Sequence, residues 1–188
     1  MEKDISSFLK EFLKSRKRIG SVAPSSKFLT KKIIDNIDFS SAKVIVEYGP
    51  GNGVFTKAIA EKISSDTLLY VFELHEPFVK ELKVMFADYP NVKIILDSAS
   101  NINKYLESDG KEKADIIISS LPLMNIERNI TIRILKASAT ALCENGQFIQ
   151  YQYTLSAKKL LQKVFKLEEI KFAFINLPPA FIYLCKKK

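Results

Sequence analysis

The chain has no tryptophan, one histidine, two cysteines and six glycines in 188 residues. Cys143 and Cys185 form no metal-ligand spacing and no disulfide framework, which excludes a zinc module and a stapled secreted domain. Both are expected to be free packing thiols, Cys143 in an apolar helical stretch and Cys185 in a C-terminal strand. No apolar run approaches the ~20 residues that cross a bilayer. Met1-Glu2-Lys3-Asp4 opens no signal peptide, so a cytoplasmic location is expected, with any membrane contact peripheral. Acidic residues are the scarcer charge, 21 against 29 basic, for a formal net charge of +8. That excess suits an anionic partner, either nucleic acid or a membrane surface. Lys186-Lys187-Lys188 reads as a solvated tail. Repeats and low-complexity tracts are missing too, and the length fits one well-packed domain.

What is present is an alternation of short apolar runs and helical patterns. Ile5, Phe8, Leu9, Phe12 and Leu13 mark one face of a helix, with basic residues gathered toward its end. Gly20 and Pro24 separate it from a second helical run, Ser26 to about Ile37. Strands are then expected at Lys43–Tyr48, Thr67–Glu73, Asn91–Leu96, Ala114–Ser119 and Gln147–Tyr153. Helices are expected at Val54–Ser64, Pro77–Asp88, Ile102–Glu107, Ile126–Leu142 (stopped by Asn145-Gly146) and from Tyr153 to about Phe165. Two late strands, about Lys166–Ile175 and Ala180–Lys186, follow without a helix between them. This order implies an α/β fold: a doubly wound, seven-stranded, mostly parallel sheet with an antiparallel C-terminal hairpin and N-terminal helices. Residues 1–38 are expected as basic, amphipathic N-terminal helices and 39–188 as the catalytic domain.

Such a sheet binds ligands outside the carboxyl ends of its strands. Four features lie there. Glu47 ends the first strand and Gly49-Pro50-Gly51-Asn52-Gly53 follows. The alternating glycines permit unusual backbone angles and close approach of a ligand. Their spacing is neither that of a dinucleotide loop nor that of a P-loop. It resembles motif I of class I S-adenosylmethionine (SAM) methyltransferases. Glu73 closes the second strand a little over ~20 residues later, where a carboxylate reaches a ribose diol. Asp97 closes the third strand ahead of Ser98-Ala99; it is a good helix N-cap, and in SAM methyltransferases an acid here meets the adenine amino group. Ser119-Ser120-Leu121-Pro122-Leu123 closes the fourth, at the position that faces the acceptor nitrogen in amino-methylating members. Nucleic-acid adenine methylases place an aromatic after the proline to stack a flipped base, and here Leu123 stands instead.

Taken together with Arg18-Ile19-Gly20-Ser21-Val22-Ala23-Pro24-Ser25-Ser26, Gln150-Tyr151-Gln152-Tyr153 and Asn176-Leu177-Pro178-Pro179-Ala180, the chain resembles bacterial phospholipid N-methyltransferases of the phosphatidylethanolamine type, relatives of the rRNA adenine dimethyltransferases. It departs from them at Ser120, where glycine is more usual, and at Asn52, where threonine is. The resemblance implies SAM as cofactor and no metal. It implies cofactor contacts from Glu47, Gly49, Pro50, Gly51, Asn52, Gly53, Glu73, Leu74, Asp97, Ser98, Ala99 and Ser119. It places Ser119, Leu121, Pro122, Tyr151 and Tyr153 at the reacting end. It also implies that Phe8, Leu9, Phe12 and Leu13 enter an anionic membrane surface while Lys14, Arg16, Lys17 and Arg18 meet phosphates. The acceptor is then a lipid amine. Tyr151 and Tyr153 offer aromatic faces to a methylated ammonium, and the competing reading packs one of them in the core. His75 is expected at the surface or beside adenine rather than as a base. An RNA acceptor through an adenine N6-methyltransferase, a protein or small-molecule acceptor, and a non-catalytic SAM-binding protein remain as alternatives.

Overall fold

Five mostly apolar runs, β-branched in β1, β3 and β4, lie side by side as parallel strands because helices cover both faces of the sheet. The computed structural model of the protein describes residues 24–174 and 179–188, with the backbone alone for 24–28. The expected N-terminal helix, the segment Arg18–Ala23 and the residues Asn176, Leu177 and Pro178 lie outside the described residues. In chain order the elements are α1 (Pro24–Ile34), β1 (Val44–Tyr48), α2 (Val54–Ala60), β2 (Leu68–Glu73), α3 (Glu76–Met85), β3 (Val92–Leu96), α4 (Ile102–Ser108), β4 (Ala114–Ser119), α5 (Arg128–Ala141), β5 (Leu142–Gln152), α6 (Lys158–Val164), β6 (Phe165–Ala173) and β7 (Ala180–Lys187). Short 3₁₀ turns at Ala99–Asn101 and Leu155–Ala157 lead into α4 and α6.

The seven strands form one sheet in the order β3-β2-β1-β4-β5-β7-β6. The first five are parallel, and β7 pairs antiparallel with both β5 and β6. The central strand β1 is buried along its whole length. Alternate residues serve opposite layers: Val44, Val46 and Tyr48 pack with Ile102, Ile134 and Leu161 from α4, α5 and α6. Ile45 on the other face packs with Leu29, Ile33, Phe55 and Ile59 from α1 and α2.

Two readings near residue 145 are corrected. Helix α5 ends at Ala141, where Leu142 turns to an extended conformation. Asn145-Gly146 lies within β5 instead of stopping a helix. Ala114 pairs with Leu142 but Ile116 pairs with Gln147, so the extra residues of β5 are accommodated in an irregular step. A side chain at Gly146 would stand 2.9 Å from Leu142 Cδ2 and 3.0 Å from the Cys143 carbonyl oxygen. Glycine therefore marks close backbone approach at a strand irregularity. Cys143 accordingly sits in a strand, not a helix, while Cys185 is buried in β7 as expected. Lys186 and Lys187 are residues of β7 instead of a loose tail, and Lys187 Nζ donates to the Leu142 carbonyl at 2.8 Å.

Candidate active site

Two hollows open along the carboxyl edge of the sheet, and Leu121 lines both. The first runs over the ends of β1, β2 and β3. It is lined by Gly49, Glu73, Leu74, Asp97, Ser98 and Ala99, and backed by Phe72 and α5. The second, about 160 Å³, lies over the ends of β4 and β5.

The glycine loop shapes the first hollow. Gly49, Gly51 and Gly53 all have positive φ, at 69°, 58° and 78°. A Cβ on Gly49 would come within 3.0 Å of Leu121 Cδ2, and one on Gly53 within 2.7 Å of Leu82 Cδ2. The positive backbone angle requires glycine at these two positions, and a side chain there would also have to displace the end of a leucine. The loop is tied down by Gly49 N donating to the Phe72 carbonyl at 3.0 Å and Gly53 N to the Pro50 carbonyl at 3.1 Å. Pro50 and Gly51 are buried and Asn52 is exposed.

Glu73 is nearly buried at the cleft wall. Its Oε1 accepts from Leu74 N (2.8 Å) and His75 N (2.9 Å), and its Oε2 accepts only a long bond from Gly51 N (3.4 Å). Burial pushes its pKa up, and the three amides, with the neighbouring His75, partly reverse this. The amides orient the carboxylate and leave Oε2 able to accept hydroxyl donors. His75 is half-buried, its ring meets Phe78 edge-on at 5.0 Å, and its Nδ1 is buried without a partner.

Asp97 holds its own turn together. Oδ1 accepts from Ser98 N (2.6 Å) and Asn101 Nδ2 (2.8 Å), and Oδ2 from the Tyr105 hydroxyl (2.9 Å). Partial burial raises its pKa, but these donors and the Lys104 charge outweigh that and keep it below the usual value. The N-cap of the 3₁₀ turn is Ser98, whose Oγ accepts from Ser100 N, instead of Asp97. Roughly three of the four lone-pair sites on the Asp97 carboxylate are thereby taken, leaving one for a ligand donor.

Glu47 lies on the opposite face of β1, toward α2, with no exposed surface and no hydrogen-bond partner for either oxygen. Burial pushes its pKa up to about 8; the nearby Thr56 hydroxyl, which forms no hydrogen bond to it within ordinary geometry, offsets this only in part, and the Glu73 charge adds to it. An orphaned buried carboxyl under a glycine loop is stabilised by a cation brought to it. The cleft therefore offers a hydroxyl acceptor and one remaining adenine-side acceptor, with the acid of Glu47 buried behind the glycine loop and outside the lining, a set that fits SAM.

The second hollow contains no charged side chain. Alternation along β4 puts Ser119 and Ser120 on opposite sides. Ser119 is fully buried, its Oγ turned to Leu121 N at 3.4 Å, and lines neither hollow. Ser120 lines the second hollow with an unpartnered Oγ. Pro122 lines it as expected, whereas Leu123 is in the core. Tyr151 and Tyr153, two residues apart, share one face and meet edge-on at 6.1 Å. Tyr151 is buried and stacks on Phe55, while Tyr153 stands 37 % exposed just past the end of β5. The interleaved Gln150 and Gln152 carry part of the resemblance in sequence but were given no role there. Gln150 and Gln152 donate to the Leu121 carbonyl at 3.0 and 2.8 Å, with Leu123 N adding a third bond at 2.9 Å. Two glutamines two apart at the end of an otherwise apolar buried strand were the available signal.

The family model for ribosomal RNA adenine dimethylase matches residues 12–165. The chain belongs to that family. An ornithine lipid N-methyltransferase of Singulisphaera acidiphila is 30 % identical over 98 % of this chain and 96 % of its own length. A ribosomal RNA small subunit methyltransferase A of Sulfurihydrogenibium is 31 % identical over 56 % of this chain but only 40 % of its own. Among solved structures, the N-methyltransferase NodS of Bradyrhizobium japonicum, in complex with S-adenosylhomocysteine, superposes with a TM-score of 0.73 at 10 % identity, covering 89 % of each chain. The fold is thus the Rossmann-like methyltransferase fold, and the protein is a SAM-dependent N-methyltransferase. Among the described residues no cluster of side chains could hold a metal and no helix is long and apolar enough to cross a membrane.

Proposed function

We propose that the protein methylates the primary amine of a lipid headgroup, of the ornithine or ethanolamine kind, at an anionic membrane surface. The observation that carries this reading is the second hollow: uncharged, aromatic on one side, and with Leu123, which stands where nucleic-acid adenine methylases carry their stacking aromatic, turned into the core. The match along nearly the whole length of a lipid-amine methyltransferase supports it. In this reading residues 1–38 form the docking segment, with Phe8, Leu9, Phe12 and Leu13 entering the lipid and Lys14, Arg16, Lys17 and Arg18 meeting its phosphates. Residues 39–188 carry the chemistry.

SAM supplies a methyl group on a positive sulfur that becomes a neutral thioether when the methyl leaves. The chain's part is to bind, align and exclude water. Glu73 and Leu74 hold the ribose side, Asp97, Ser98 and Ala99 the adenine side, and Gly49 to Gly53 the backbone cradle. Glu47 answers the ammonium. Leu121, its carbonyl clamped by two glutamine amides, separates the cofactor from the acceptor. The attacking amine arrives neutral, and Ser120 Oγ accepts one of its N–H bonds. The new N–C bond leaves nitrogen cationic, and its proton passes to water because no lining side chain is a base. Tyr151 and Tyr153 favour the methylated ammonium by about 0.5–2 kcal/mol.

The rival acceptor is an RNA adenine, favoured by the family model. Incubation with labelled SAM and either amine-lipid vesicles or ribosomal subunits separates them. Label is expected in the lipid; label in RNA alone overturns the proposal. Deleting residues 1–18 is expected to lower vesicle flotation.

A further inference from the structure

Single exposed apolar side chains are ordinary, but their grouping is not. Among the described residues, five of the nine exposed large hydrophobics lie at or past the carboxyl ends of β4, β5 and β6: Phe172 next to last in β6, and Met124, Tyr153, Leu155 and Phe174 beyond the strands. Met124 and Tyr153 are also walls of the second hollow. Phe172, Phe181 and Gln152 form one row across β6, β7 and β5, and the Tyr183 hydroxyl fixes the turn before Leu155 by donating to the Thr154 carbonyl at 3.0 Å. The apolar residues therefore form a collar along the sheet edge beside the acceptor opening, Tyr153 on one face and Phe172 with Phe181 on the other. Phe174, at 67 % exposure, is the most projecting.

We propose that this collar is a docking surface for an anionic lipid bilayer, which sets the acceptor opening at headgroup depth. The proposal rests on the lipid-amine reading above for its choice of substrate. Three observations select lipid as the occupant. The collar is continuous with the hollow, so a lipid amine reaches Ser120 without leaving the bilayer. Its segments carry no acidic side chain: 120–126 is uncharged, 153–161 has only Lys158 and Lys159, both exposed, and the next acid, Glu127, is followed at once by Arg128. Apolar tips with a cationic rim are what an anionic interface takes up. Finally, the C-terminal part of α1 reaches β6 beside the collar, with Lys32 Nζ donating to the Phe172 carbonyl and Lys171 Nζ to Asn36 Oδ1. The 23 residues before α1 carry six basic and three acidic side chains, so the sequence leading into that helix is cationic.

The test uses the full chain and vesicles of phosphatidylcholine with phosphatidylglycerol and an amine lipid. Leu155 and Phe174 lie outside the cofactor and acceptor sites, so Leu155→Ser with Phe174→Ser probes docking alone. This variant is expected to partition about tenfold more weakly, with wild-type melting temperature and S-adenosylhomocysteine affinity. Its turnover of the same lipid in detergent micelles is expected to be unchanged. Hydrogen exchange of the wild type on vesicles is expected to slow at 121–126 and 153–157. Equal partitioning of variant and wild type, or no slowing at those segments, overturns docking while leaving any lipid methylation intact. A wild-type dimer that the variant dissociates without lipid assigns the collar to a second copy and also overturns it. Collar-dependent docking with no label in any lipid amine supports docking and refutes the acceptor reading.

Discussion

The two halves of the carboxyl edge are built on different physics. Over β1, β2 and β3, three carboxylates stand at successive strand ends, and two of them are oriented by backbone amides or neighbouring hydroxyls. Over β4 and β5 the lining is uncharged, and shape and buried amide groups define it. Recognition of a polar nucleoside needs placed acceptors, whereas a neutral amine with an apolar anchor needs a dry, uncharged wall. The halves touch through Leu121, so substitutions on one side are expected to leave the other side's binding intact.

The largest expected break in that comparison is Glu73→Ala. Each hydrogen bond to a charged carboxylate contributes about 1.5–3 kcal/mol, so losing two is expected to weaken SAM binding about 100-fold or more by calorimetry. Vesicle flotation is expected to stay unchanged; unchanged SAM affinity would remove the first hollow as the cofactor site. Next comes Glu47→Gln. The folded-state pKa of Glu47, about 8, lies above its ordinary 4.5. Between those values the folded protein keeps a proton that the unfolded chain has lost. Its contribution to stability is thus full below pH 4.5 and falls by about 1.4 kcal/mol per pH unit up to about 8. Denaturant melts of the cofactor-free protein are expected to show this decline between pH 5 and 8, and the Gln variant is expected to flatten it. Binding of S-adenosylhomocysteine at pH 7 is expected to release protons in the wild type and not in the variant, read as a buffer-dependent calorimetric enthalpy.

Tyr153→Ala probes the uncharged half. Loss of an exposed cation–π contact, about 0.5–1 kcal/mol, is expected to slow methylation of an N-methylated lipid amine offered as acceptor two- to fivefold with SAM affinity unchanged. A drop in SAM affinity instead would show that the halves are coupled. Asp97→Asn is expected to have the smallest effect. With most of its lone pairs committed to its own turn, a loss of about two- to threefold in SAM affinity is expected, accompanied by loosening of the Ser98–Tyr105 segment in hydrogen exchange.

How much of this was legible in the sequence follows the same division. The parallel strands were legible because strands buried on both faces read as unbroken β-branched runs, and charges at their ends stand out, hence Glu47, Glu73 and Asp97. Asn145-Gly146 misled because glycine serves a helix stop and a strand irregularity equally well; only the pairing with β4 distinguishes them. In Ser119-Ser120 the residue type is repeated, so which hydroxyl reaches the hollow depends on strand phase at the last residue. Leu123 looked like a substituted stacking position, yet the bonds from Leu123 N to the Leu121 carbonyl and from Thr131 Oγ1 to the Leu123 carbonyl belong to a bend that turns it inward. The glutamine clamp pairs residues about 30 positions apart, which no local pattern encodes. The amphipathic N-terminal pattern remains a sequence reading, since it lies outside the described residues.

The position of β7 has a consequence for how the molecule is made. It is seventh in chain order but sits between β5 and β6, and its Tyr183 anchors the loop after β5. A nascent chain emerges N-terminal part first. The cofactor half can be laid down while synthesis continues, but the acceptor wall has no lateral support until the final strand slots in. For that interval the growing chain shows β5 with an open edge, available to pair with another chain.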